Sequence, residues 1–145
     1  MTEVAFHFNA PDRLHYACRL ARKAVAAGRT VVITGEPGLL RELDVAMWTF
    51  SPLEFLPHFD AAGAGGPALA RSPVVLADAP RNAPHQQVLV NLGGAVPDGF
   101  ERFQRLIEVV TGEPEDRLQA RARWKHYADR GYAIARHDLA ARDDR

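Results

Sequence analysis

Arg117, Arg121 and Lys125 recur at four-residue intervals in the segment RLQARARWKHYA, residues 117–128. On a helix, at about 100° per residue, such a series forms one stripe. Trp124 and Ala128 project close beside it, and Tyr127 lies a little further round. Cations flanking an indole suit carboxylates followed by an aromatic or aliphatic tip. A guanidinium can hold a carboxylate through two parallel hydrogen bonds, and a terminal carboxylate offers that geometry. The same spacing also allows a plainer arrangement, with Trp124 and Tyr127 in the core and the basic residues solvated. Periodicity leaves both open.

A second constellation is MWTFSPLEFLPHF, residues 47–59. A helix ends near Trp48, and a proline-bounded loop then carries Phe50, Leu53, Phe55, Leu56 and Phe59. Loops usually run over the surface, so these groups either plug the domain's own edge or form a patch for a partner.

Catalytic chemistry has little support. TGEPG (34–38) follows a short apolar run, where α/β proteins can hold phosphate. A P-loop ends in Gly-Lys-Ser/Thr, whereas Gly38 here precedes Leu-Leu-Arg, and the dinucleotide fingerprint needs a third glycine. The segment therefore reads as a strand-to-helix turn. A small nucleotide-binding or phosphotransfer enzyme built on it is the alternative class. The six histidines (7, 15, 58, 85, 126, 137) contain no i, i+4 pair for a metal. The serines, Ser51 and Ser72, stand outside any nucleophile elbow. Cys18 falls in an apolar stripe, and the acidic residues are dispersed. No catalytic residue, metal or cofactor is expected.

The elements that would position these groups follow from the hydrophobic pattern. Val4–Phe8 alternates as a strand. Leu14, Ala17, Cys18, Ala21 and Val25 stripe a helix over 11–27 that Gly28 stops. TVVIT (30–34), VVLAD (74–78), QVLVNLG (87–93) and RLIEVV (105–110) read as further strands. Leu40, Leu43 and Met47 stripe a second helix, PDGFERFQ reads as a short one, and EDRLQARARWKHYADRGY as the last. Strands alternating with helices predict a single Rossmann-like α/β domain over 1–140, with a mostly parallel five-stranded sheet flanked by helices. Residues 141–145 read as a frayed, charged end.

The chain has 145 residues, with 18 basic and 18 acidic side chains. A net charge of zero disfavours wholesale attraction to nucleic acid or anionic membrane, so charged recognition must be local. One cysteine excludes an internal disulfide. The N-terminus does not read as a signal peptide, and no apolar run approaches the ~18 residues that span a bilayer. The cytoplasm is the expected compartment.

LDVAMWTFSPLEFLPH (43–58) and RARWKHYADRGY (121–132), set in this α/β order, resemble the chi subunits of bacterial DNA polymerase III holoenzyme. The resemblance covers essentially the whole chain. Its most distinctive pieces are Leu-Asp-x-x-x-Trp, Phe-x-Pro-His and Arg-x-Arg-aromatic-Lys. It implies a non-enzymatic clamp-loader subunit that bridges two partners. These are the psi subunit and the acidic, phenylalanine-ended tail of single-stranded DNA-binding protein, with DNA handled only indirectly. Carried over by motif, the tail site is Arg117, Arg121, Trp124 and Lys125, and the psi surface Trp48, Phe55 and Pro57. The family often has lysine where Arg117 stands; the charge is kept. No contact transfers into the Gly/Ala-rich stretch after His58. A direct single-strand binder using the same basic helix is a further alternative.

Overall fold

The computed structural model describes residues 1–49, 58–60 and 72–140. In chain order the elements are β1 (Glu3–Ala10), α1 (Arg13–Ala26), β2 (Val31–Thr34), α2 (Pro37–Thr49), β3 (His58–Asp60), β4 (Val74–Leu76), β5 (Val88–Asn91), β6 (Arg105–Thr111), α3 (Pro114–Asp129) and β7 (Ile134–Asp138). The strands form one sheet in the order β3-β4-β2-β5-β6-β1-β7, and every pairing is parallel. Among the described residues no helix is long and apolar enough to cross a membrane.

The Rossmann-like α/β expectation holds, but the sheet has seven strands where five were expected. The two additions are edge strands with weak local signals. β3 is three residues of the proline-bounded stretch, which reads as a loop by composition. β7 is IARHD, whose Ala135, Arg136 and Asp138 are exposed, so it lacks the apolar run of a covered strand. The expected PDGFERFQ helix is only a 3-10 turn, Phe100–Arg102. Gly99 precedes it at φ 86, outside the helical region, and a Cβ there would meet the Arg81 backbone at 3.0 Å.

β2, β4 and β5 are buried at every residue, as expected of central parallel strands. Two cores result. On one face Val31, Ile33, Val74, Leu76 and Val90 meet Ala17, Cys18 and Ala21 of α1 and Leu40, Leu43 and Met47 of α2. On the other, Val4, Phe6, Val32, Leu89 and Leu106 meet Ala120 and Tyr127 of α3, with Phe100 and Phe103. Cys18 is a small core residue, and burial pushes its thiol pKa up. Asp12 caps α1 by accepting the His15 N–H at 3.1 Å. Asp12→Ala should lower stability by about 1 kcal/mol, read as a shifted urea midpoint at unchanged slope.

A basic hollow at the carboxyl ends of the strands as candidate functional site

Ligand sites of open parallel sheets gather beyond the carboxyl ends of the strands. Here a hollow of about 760 Å³ opens beside the ends of β1, β6 and β7, against the first half of α3. α3 lines it with Arg117, Ala120, Arg121 and Trp124. Positions i, i+3, i+4 and i+7 share one helix face, so the four arrive together. β1 adds Phe8 and Asn9, β6 adds Thr111, and β7 adds Arg136 and Asp138.

Trp124 satisfies both arrangements that its spacing allowed. It is half-buried, with its ring 5.0 Å from Phe6 and 6.2 Å from Phe8, and it also lines the hollow. Arg117 and Arg121 are exposed. Lys125 is exposed too, but does not line the hollow. The reason is helical drift: each four-residue step advances about 40° beyond a full turn, so the stripe has turned away by its third member.

One cation that sequence reasoning did not place there is Arg136. Its guanidinium lies 5.4 Å from the centre of the Phe8 ring and 5.6 Å from that of Trp124, within cation–π range. The register pairs Phe6 with Arg136 and Phe8 with Asp138, which puts Arg136 on the α3 side of the sheet. Asn9 adopts φ 62, a left-handed conformation that asparagine tolerates, and donates to Asp138 at 2.9 Å. The hollow thus holds three guanidinium groups against one carboxylate.

A buried network sets the rotation of α3. Arg123 is 2% exposed and Glu108 of β6 is fully buried. Arg123 Nε donates to Glu108 Oε1 at 3.0 Å, and its second donor reaches the Gly94 carbonyl at 3.1 Å. Tyr127 donates to Glu108 Oε2 at 2.5 Å and Asn91 to Oε1 at 2.9 Å. Burial pushes the Glu108 carboxyl upward, while the Arg123 charge and the three donors pull against it. Burial and the Glu108 charge hold the Tyr127 phenol well above its ordinary value. With Arg123 and Tyr127 fixed inward, Arg117, Arg121 and Trp124 are turned to the hollow. Asp116 adds a clamp at the start of the helix: it accepts the Thr111 N–H at 2.8 Å and pairs with Arg13 at 2.9 Å.

On the opposite face of the sheet, α2 presents Val45 and Trp48, three residues apart and both exposed, Trp48 by 50%. Phe55 and Pro57 lie outside the described residues. Gly35 and Gly38 lie at the β2–α2 junction, with Pro37 opening the helix. Among the described residues no group of three or more His, Cys, Asp or Glu side chains is placed to hold a metal ion.

The family model described as DNA polymerase III chi subunit, HolC, matches residues 1–135. A Pseudomonas aeruginosa protein named DNA polymerase III subunit chi is 33% identical over 144 residues, covering 96% of this chain and 98% of the relative. A Haemophilus influenzae protein of the same name is 28% identical over 121 residues, covering 82% of each.

Proposed function

Because the chain belongs to the DNA polymerase III chi subunit family, we propose that it is a non-catalytic cytoplasmic bridge with two docking surfaces. The basic hollow receives the acidic C-terminal tail of single-stranded DNA-binding protein, and the apolar surface at the end of α2 holds the psi subunit of the clamp loader. The observation that carries the tail assignment is the hollow itself, where Arg117, Arg121 and Arg136 surround the half-buried Trp124. Carboxylates would meet the guanidinium groups, and a terminal aromatic ring would lie against Trp124 and Phe8. Lys125, outside the hollow, attracts acidic residues further up the tail.

For the second surface, the support is Val45 and Trp48 exposed on one face of α2. Phe55 and Pro57 join them on the resemblance alone. The two surfaces lie on opposite faces of the sheet, so both partners can be held at once. A tethered pair raises the local concentration of clamp loader at coated template.

The test is fluorescence anisotropy with a labelled acidic peptide ending in phenylalanine. Arg121→Glu should weaken binding at least tenfold, Lys125→Glu less, and raised salt should weaken the wild type. Wild-type affinity in a folded Arg121→Glu protein would remove the tail assignment. Separately, Trp48→Ala or Phe55→Ala should abolish co-purification with psi while leaving peptide binding intact. Retention of psi by both variants would show that the apolar surface serves another purpose.

A further inference from the structure

The face of the sheet away from α3 carries a second concavity that the bridging reading does not use. α1 and α2 cover the centre of that face, Leu139 just after β7 packs into the same core, and the strip of β1 and β7 lies beside the flank of α1. The strip is floored by small or short groups. Ala5 is half-buried, Ala135 is exposed, and Ile107 closes the inner side. Between it and α1 runs a groove of about 570 Å³.

Its charge is one-sided. Arg19 and Lys23 stand four apart on α1, Arg29 follows the end of that helix, and Arg105 opens β6. All four are exposed. Their acidic neighbour in the groove is Glu3, whose carboxylate lies 3.5 Å from Arg105. Four cations against one carboxylate is a strong local excess in a chain whose total charge is zero. At the other end the His7 and His137 rings lie 4.6 Å apart, with Tyr16 hydrogen-bonded to His7.

We infer that this groove binds the phosphate backbone of a single-stranded nucleic acid. The cations come from three separate segments, α1, the turn after it and β6, and not from one helix face. That arrangement fits a flexible polymer with one charge per unit better than the few carboxylates of one face of a protein helix. The short floor of Ala5 and Ala135 leaves room for sugars and bases, and the half-exposed His137 ring offers a flat face at one end. The chain's family works in a DNA polymerase, where single-stranded template is the polyanion at hand. The contact is weak and electrostatic, suited to a strand already delivered by another protein. It lies on the face of the sheet opposite the α3 hollow and does not depend on the tail assignment.

The experiment is an anisotropy titration of fluorescein-labelled oligothymidylate with the full chain, at several salt concentrations. Release of counterions from three or four phosphates gives a plot of log K against log salt with a slope of about −2 to −3. The double variant Arg19→Glu, Lys23→Glu should weaken binding at least tenfold, and Arg29→Ala severalfold. These side chains are exposed, so circular dichroism should be unchanged. Arg121→Glu should leave oligonucleotide binding as in the wild type. Three results would overturn the inference: no binding at low salt, loss of binding in Arg121→Glu with retention in the α1 double variant, or saturable binding of a glutamate-rich helical peptide in place of the oligonucleotide.

Discussion

Replacing Arg123 with alanine should cost the fold about 3–5 kcal/mol, whereas replacing Arg121, two residues earlier, should change stability by no more than about 0.5 kcal/mol. Arg123→Ala leaves the carboxylate of Glu108 fully buried without its counter-charge, and leaves the Gly94 carbonyl without a donor. The penalty is that of an isolated buried ion, which exceeds the net value of the pair. The expected readout is a fall in thermal midpoint of roughly 10 °C or more and a lower urea midpoint. Two further substitutions separate this from simple loss of packing. Tyr127→Phe keeps the ring but removes the hydroxyl donor to Glu108, and should cost about 1–3 kcal/mol. The double replacement Arg123→Met, Glu108→Leu removes both charges and should be milder than Arg123→Ala alone. Equal stabilities for Arg121→Ala and Arg123→Ala would mean that α3 is not held by this network.

That contrast marks where the sequence stops being informative. Helical spacing tells which residues share a face; of the four it grouped, Arg117, Arg121 and Trp124 line the hollow and Lys125 does not. It does not tell which face turns inward. The direction was encoded elsewhere, in Glu108, a lone carboxylate in the apolar run RLIEVV. A charge in a covered parallel strand needs a buried partner, and Arg123 with Tyr127, four residues apart, is the pair that reaches it. The central strands were legible because a strand covered on both faces is apolar throughout. β7 was not, because this edge strand mixes exposed and half-buried residues and lacks that run. Without β7 there is no register, and without the register Arg136 has no address. Phe8 and Asn9 were readable as a strand end before a turn, but only parallel pairing beside β6 and β7 makes that end a wall of the hollow.

Arg136→Glu should weaken binding of the acidic, phenylalanine-ended peptide at least tenfold, as much as Arg121→Glu and more than Lys125→Glu. The ranking follows from the geometry and runs against the sequence motif, which contains Lys125 and omits Arg136. Arg136 stands in the hollow over the two rings proposed to receive the peptide's terminal side chain, while Lys125 points beyond its edge. Arg136→Lys keeps the charge but loses the planar guanidinium that stacks and binds in two-pronged fashion, so it should recover only part of the affinity. A double-mutant cycle between Arg121 and Arg136 should show coupling of about 0.5–3 kcal/mol, as expected for cations that share one ligand carboxylate cluster. The ring contacts add a spectroscopic signature. For the peptide's aromatic end to reach Trp124 and Phe8, the guanidinium must leave their faces and turn to a carboxylate. In a Trp48→Phe background, where Trp124 is the remaining indole, peptide binding should change the emission of wild-type Arg136 protein more than that of Arg136→Ala. Full peptide affinity in Arg136→Glu, together with its loss in Arg121→Glu, would place the carboxylates on the outer surface of α3 and leave the hollow without the role proposed for it.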